Sequence, residues 1–303
     1  MNKRILLTVL CGLLPSLAVT QDIITVPNMT ITQTALPLLN QGVELTNIGP
    51  GYYSFRHLGL RNIFIITNDG VIITDPISTE TANLMRSVIR KLTTLPVKYV
   101  IYSHQHWDHV RGGKIFKEEG AQFISHQNCV AHFTDLPDPE IVMPDKTFSE
   151  NLYVINLGER SLKLQYLGRN HGNCLIIMTP DKTNIPFIVD LGTAGGMPLG
   201  YMSDYSLHNW IRSLKELESW DFQHYIGGHG IAVAPKIRLT ERREYLEALM
   251  HETKKELDAN TPIDNIPDIV AQNLQAKFQN LRGFNGLVRD NTRRVITYYS
   301  MGW

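Results

Sequence analysis

The chain has 303 residues, 43% hydrophobic and 19% charged, a balance that builds a globular core and excludes a disordered or low-complexity protein. Its 29 basic and 29 acidic side chains cancel, so charge gives no case for nucleic acid or an anionic membrane surface as a partner. Three cysteines are too few for a disulfide scaffold.

In chain order the N-terminus comes first. Lys3 and Arg4 precede an apolar run over residues 5–17 and small residues around Ala18, the order of parts in a secretory signal. The run is shorter than the roughly 20 apolar residues a spanning helix needs. Residues 1–20 are therefore read as a cleaved signal peptide. The mature protein is expected to be secreted or periplasmic, with no stable membrane anchor. In such a compartment the spacing of Cys129 and Cys174 leaves their pairing open. The apolar run that Cys174 begins favours a small buried side chain there. Asn28-Met29-Thr30 is a glycosylation sequon, meaningful in a eukaryotic source. Residues 21–42, with Pro27 and Pro37, read as a polar lead-in.

Strands are expected at 52–55, 62–67 and 71–74, with a turn at Gly59-Leu60-Arg61 and a hairpin turn at Asn68-Asp69-Gly70. Met85, Val88, Ile89 and Leu92 mark the inner face of a helix capped by Ser78 or Thr79 and barred from continuing by Pro96. A buried strand at 97–102 runs into Ser103-His104-Gln105-His106-Trp107-Asp108-His109, followed by a short helix and a strand at 121–125. Further strands are expected at 152–155, 162–166, 174–178, 186–189 and 222–226. Ser206 starts a helix with Leu207, Trp210, Ile211 and Leu214 on one face, and Thr240 starts another with Leu246, Leu249 and Met250 inward. The tail over 266–303 reads as helical, then mixed. Two groups of strands, each with helices, predict an α/β fold of two sheets packed face to face with helices outside, one domain over 43–303.

Seven ligand-type residues stand at the ends of expected strands: His104, His106, Asp108 and His109 in one turn, then His171, Asp190 and His229. In extended chain His104 and His106 point the same way and can hold one metal. Asp108 and His109, past a bend, can turn to a second, and Gly112-Gly113 lets the backbone pack closely behind them. Asp190 has two carboxylate oxygens and can serve both. Imidazole and carboxylate suit zinc and, less selectively, iron or manganese.

The run His104-x-His106-x-Asp108-His109, with His171, Asp190 and Gly228-His229-Gly230, closely resembles the metallo-β-lactamase superfamily over about residues 43–259. The resemblance implies an αββα sandwich of two mixed sheets with helices on the outer faces. It implies two zinc ions per chain: His104, His106 and His171 on the first, Asp108, His109 and His229 on the second, with Asp190 and a hydroxide between them. Asp75 would support the site rather than bind metal. Asp108 would orient the attacking hydroxide and take its proton. A small-molecule substrate with an ester, lactone, thioester or β-lactam bond is expected. Within the same superfamily, persulfide dioxygenases with one iron and phosphodiesterases or sulfatases are the competing activities. Two departures bear on this. The commonest class of true β-lactamases has cysteine where Asp190 stands, and His171 lies in Arg169-Asn170-His171-Gly172-Asn173 rather than in the Gly-His-Thr setting of the glyoxalase-II-like thioesterases. Specificity is expected from residues 57–61, 135–145 and 192–205. Arg169 and Asn170 are expected either to bind substrate or to support His171. Trp107 is expected to pack beneath the metals.

Overall fold

Buried apolar residues on both faces of the central strands set the architecture. The computed structural model describes residues 24–26, 29–31, 42–199 and 201–302; the expected signal at 1–20 and the sequon residue Asn28 lie outside them. Strands β1 (Ile24–Val26) and β2 (Met29–Ile31) pair as a small antiparallel hairpin within the expected lead-in. The first large sheet runs, in spatial and chain order, β3 (Glu44–Gly49), β4 (Tyr52–His57), β5 (Leu60–Ile66), β6 (Val71–Thr74), β7 (Val97–Ile101), β8 (Gln122–His126) and β9 (Lys146–Phe148). It is antiparallel from β3 to β6 and parallel from β6 to β9. Helices α1 (Thr79–Leu92), α2 (Trp107–Val110), α3 (Lys114–Glu118) and α4 (Val130–Asp135) belong to this half.

The second sheet runs β10 (Leu152–Leu157), β11 (Arg160–Tyr166), β12 (Ile176–Pro180), β13 (Phe187–Val189), β14 (His224–Gly227) and β15 (Ala234–Pro235), parallel only between β13 and β14. Helices α5 (Leu207–Ser219), α6 (Ile237–Asp258), α7 (Ile266–Phe278) and α8 (Phe284–Met301) belong to this half.

Alternation along each strand divides the core. Ile63, Ile65, Ile72, Ile101 and Ile124 pack with the second sheet's Leu162, Leu164, Ile176 and Phe187. Their neighbours Phe64, Val71, Ile73, Val100 and Phe123 turn to the opposite face, onto Met85, Val88 and Ile89 of α1. Strands covered on both faces read as continuous apolar runs, which is how β5 to β8 appear in the sequence. Helix α1 starts where Ser78 Oγ accepts the Thr81 N–H (3.2 Å) and ends at Leu92, before Pro96. At Gly112, φ is +82°, and a Cβ would stand 2.0 Å from the Ser78 carbonyl carbon. Close packing behind the histidine turn therefore requires glycine there.

The αββα sandwich is as expected, with local corrections. Strands β1, β2, β3, β9 and β15 are additions. The first turn is Leu58-Gly59, so Leu60 and Arg61 lie in β5. Helix α6 begins at Ile237, three residues before Thr240, and the tail is two helices with no strand among the described residues. Cys129 and Cys174 are joined in a disulfide, Cα atoms 5.3 Å apart, so Cys174 is buried but not free. Among the described residues no helix is long and apolar enough to cross a membrane.

Candidate metal centre

The site begins at Asp75, just after β6. It is fully buried at φ +38°, and its Oδ1 accepts the Ser103 N–H at 2.8 Å. Asn62 in turn donates its amide to the Asp75 carbonyl at 2.7 Å. This fixes the chain where it leaves β7 and enters the histidine run. Ser103 Oγ lies 2.8 Å from His104 Nδ1, leaving Nε2 for other work. Helix α2 is a single turn that starts after His106 and carries Asp108 and His109 across to the other side. His109 Nδ1 faces Asp75 Oδ2 at 3.4 Å and its Nε2 faces Asp190 Oδ2 at 3.4 Å. A carboxylate on one ring nitrogen orients the other, the usual arrangement behind a metal-binding histidine. The contact places Asp75 beside His109, a partner that the sequence did not name.

Asp190 follows β13 through Val189, which adopts φ +48°, rare and strained for a β-branched residue. That turn aims the buried carboxylate at three more rings: His229 Nε2 at 3.2 Å, His171 Nε2 at 3.4 Å and His104 Nε2 at 3.8 Å. A Cβ on Gly228 would stand 2.3 Å from Asp190 Oδ1, so the loop that delivers His229 needs glycine beside the carboxylate. His171 Nε2 lies 3.1 Å from His106 Nδ1. The seven side chains fall into two groups: His104, His106, His171 and Asp190 in one, Asp108, His109 and His229 in the other. Within each group the ligand-type atoms lie within 4.8 Å of one another.

A metal fits this set on chemical grounds. Buried polar atoms are almost always hydrogen-bonded. Here His104 Nε2, His109 Nε2 and Asp190 Oδ1 are buried with no hydrogen-bond partner among the described residues. Ring nitrogens and a carboxylate oxygen left together without hydrogen-bond partners are what a divalent cation satisfies. Burial, reinforced by the neighbouring rings, pushes His104 well below the usual imidazole value and keeps it neutral. Burial also lowers His171, and the Asp190 carboxylate only partly offsets it. Burial works against a charge on His109, but the carboxylates of Asp190 and Asp75 outweigh it and hold the ring well above its usual value. Burial likewise opposes Asp190, but His109, then His171 and His229, hold it well below the usual carboxylate range.

The signs give a prediction. A raised histidine stabilises the metal-free fold below about pH 6.5, its unfolded value, and loses that contribution as pH rises through its elevated folded pKa. A depressed aspartate contributes above about pH 4 and loses it as pH falls through its depressed folded pKa. Both contributions are complete together in mildly acidic solution. A metal must displace the His109 proton, so its affinity should rise with pH and its binding should release a proton. Calorimetric titration in buffers of different ionisation enthalpy reads that proton directly; binding heats independent of buffer would refute it.

Three features were not read from the sequence. Asp204 Oδ2 accepts from Gln105 Nε2 at 2.9 Å and lies 2.8 Å from His106 Nε2. The Tyr205 ring stands 4.1 Å from that of His171 and 6.4 Å from that of His106. Burial, with the nearby Asp190 and Asp204 carboxylates, pushes the Tyr205 phenol far up, so it stays a neutral O–H. The third is the Cys129–Cys174 disulfide, which anchors the chain three residues beyond His171. Asp204 and Tyr205 fall within the expected specificity segment 192–205, but no spacing ties them to His106. We expect Asp204→Asn to weaken metal binding about 10- to 100-fold by loosening His106, read by competition with a chromophoric chelator. Unchanged affinity would show that His106 holds its place without Asp204.

Two expectations are settled by placement. Asn170 is buried, accepts the His171 N–H on its own Oδ1 and donates to Ser213 Oγ at 3.2 Å, so it supports His171, whereas Arg169 is exposed. Trp107 does not pack beneath the site. It is 39% exposed, with the Arg111 guanidinium 4.2 Å from its ring centre.

Two sheets, outer helices and a histidine–aspartate double cluster at the strand ends define a metallo-hydrolase type of fold with a candidate metal site. The model of the metallo-beta-lactamase superfamily matches residues 58–219, and the chain belongs to that superfamily. Among solved structures it is similar to a metallo-beta-lactamase from Pontibacter korlensis (TM-score 0.59, 18% identity, 68% of this chain and 99% of that one). It is also similar to a double mutant of the sec-alkyl sulfatase PisA1 (TM-score 0.67, 14% identity, 84% of this chain and 50% of that one). At these identities the likeness is one of fold. A curated relative, the 2,4-dinitroanisole O-demethylase subunit alpha of Nocardioides sp. (strain JS1661), is 23% identical over 134 residues, 44% of this chain and 40% of that protein.

Proposed function

We propose that this protein is a binuclear zinc hydrolase that cleaves an ester, lactone, thioester or β-lactam type bond in a small-molecule substrate. The observation that carries the reading is the pair of ligand groups meeting at Asp190. His104, His106 and His171 would hold one ion, Asp108, His109 and His229 the other, with Asp190 serving both. Divalent ions bound there would supply Lewis acidity and lower the pKa of water toward 7.

The chain's own groups do the rest. The Asp108 side chain is 50% exposed, unlike buried Asp190, so it meets the substrate side of the cleft. Its Oδ2 lies 3.8 Å from His109 Nε2 and 3.9 Å from His229 Nε2, a position from which it orients the attacking water and accepts its proton. Asp190, held as a carboxylate, keeps the two groups in register. The Tyr205 phenol, kept neutral beside the His171 ring, would be a donor for a substrate oxygen. Export is part of the proposal: a disulfide is at home in an oxidising compartment, which supports the secretory reading of the N-terminus.

Elemental mass spectrometry of the purified chain tests this first. We expect two zinc ions per chain, and hydrolysis of members of an ester, lactone and β-lactam panel that chelation stops. One iron per chain, with oxygen uptake on thiol persulfides, would replace this reading with sulfur oxidation.

A further inference from the structure

Arg282 lies between α7 and α8, in the helical tail beyond the residues that the superfamily model matches. Its backbone is tied to the segment that follows Asp190. The Arg282 N–H donates to the Gly195 carbonyl at 3.1 Å, and the Met197 N–H donates to the Arg282 carbonyl at 3.0 Å. Buried Arg242 of α6 holds the same segment, its Nη2 donating to the Thr193 carbonyl at 2.8 Å. The base of the Arg282 side chain is therefore fixed, although it stands in a connection between helices.

From there the side chain reaches the loop that delivers His229. Its Nη2 is 3.5 Å from where a Cβ on Gly196 would stand and 3.9 Å from where one on Gly230 would stand. Gly230 immediately follows His229. Among the described residues the exposed Arg282 guanidinium has no hydrogen bond and no ion pair. Its cationic neighbours are already satisfied. Arg61, which donates to the Gly230 carbonyl at 3.4 Å, is paired with Glu44 at 3.2 Å. Arg238 is paired with Glu241 at 2.7 Å. A lone exposed arginine is ordinarily solvated surface. This one is anchored by its backbone, spans the two loops that carry Asp190 and His229, and brings one unspent positive charge to them. One positive charge matches a monoanion, and the planar fork of parallel N–H donors matches a carboxylate.

We propose that Arg282 receives a carboxylate carried by the substrate, so that the molecule cleaved bears an acid group apart from the bond that breaks. The acid would lie toward His229 and its companions Asp108 and His109. The assignment to a substrate rests on the hydrolase reading above; anion binding at Arg282 does not.

Two measurements separate them. The first is kcat/KM of the metal-loaded chain on the mono-p-nitrophenyl ester of adipic acid, with the second carboxyl either free or methylated. The free acid should be preferred about tenfold, mostly through KM, the low end for a hydrogen bond to a charged group because the guanidinium is exposed. Arg282→Gln should bring the ratio to about one, and Arg282→Lys, which keeps the charge without the fork, should retain part of it. The second needs no turnover. In the nitrogen–proton correlation spectrum of the metal-free protein, the Arg282 Nε–H signal, assigned by its loss in Arg282→Gln, should shift with monomethyl adipate and not with dimethyl adipate. A shift without cleavage of any ester would keep the anion site and remove the hydrolase. Equal rates on the two esters with no shift would overturn the proposal and leave the hydrolase standing. A shift with equal rates would overturn the assignment to the substrate, because the carboxylate would then come from a separate molecule.

Discussion

Asp108→Ala is expected to lower turnover by about a thousandfold or more while the protein keeps its fold. The magnitude is that of removing a positioned general base, about 10²- to 10⁴-fold, with loss of a metal-facing oxygen in addition. The fold survives because the side chain is 50% exposed and sits in the first turn of α2, so its removal opens no cavity. The carboxylate faces His109 Nε2 and His229 Nε2 at 3.8 and 3.9 Å, so its loss also weakens the second ligand group. Turnover and metal content must therefore be measured together. With zinc restored in excess, a variant that still fails to turn over separates the proton-accepting role from the binding role. Asp108→Asn sharpens the distinction: the amide keeps an oxygen for the metal but accepts a proton poorly. Hydrolysis within tenfold of the parent in zinc-saturated Asp108→Ala would remove Asp108 from the mechanism, whatever its melting curve.

The parts of the site legible in the sequence are those where chemistry and chain order coincide. His104, His106, Asp108 and His109 fall in six consecutive positions after an apolar strand, and only a turn between strand and helix can place them so. His171, Asp190 and His229 are isolated in sequence. They were recognisable because each follows an expected strand, and the sheets do bring them to the same edge. Asp204 and Tyr205 escaped because their contacts with His106 and His171 are tertiary and their neighbours carry no pattern. Trp107 misled because the motif surrounds it; composition favours burying an indole, but its ring is 39% exposed and stacks under the Arg111 guanidinium instead.

The same division holds for the fold. Strands β5 to β8 are apolar on both faces and announce themselves, whereas β3 buries Thr46 and exposes Asn47, a mixture that mimics a loop. Helix α6 starts three residues early because Ile237 is exposed and breaks the apolar periodicity at the point where the helix begins. Whether two cysteines 45 residues apart meet is a question of three-dimensional distance, and here they do.

That disulfide carries the second large effect. Closing 45 residues of chain restricts the unfolded ensemble by about 4 kcal/mol on the chain-entropy account. The double variant Cys129→Ser, Cys174→Ser should accordingly lose roughly 10 °C in Tm. Both cysteines are buried, with Gln105 Oε1 3.1 Å from Cys174 Sγ and the Cys174 carbonyl 3.9 Å from Cys129 Sγ, so the serine hydroxyls have acceptors beside them and the loss is mainly that of the cross-link. A second consequence is local. Cys174 stands three residues beyond His171, in the loop where Asn170 also holds the chain. With the staple gone His171 should lose its fixed place, and, on the two-ion reading proposed above, an ion bound with His104 and His106 should exchange faster than one bound by Asp108, His109 and His229. Cobalt substitution gives each ion an absorption signature, so unequal loss during chelator challenge can be followed in one experiment. A double variant that melts within about 2 °C of the parent would show the cross-link to be without effect on the fold. A large drop in Tm with equal loss of both ions would place its contribution in global stability rather than in the position of His171.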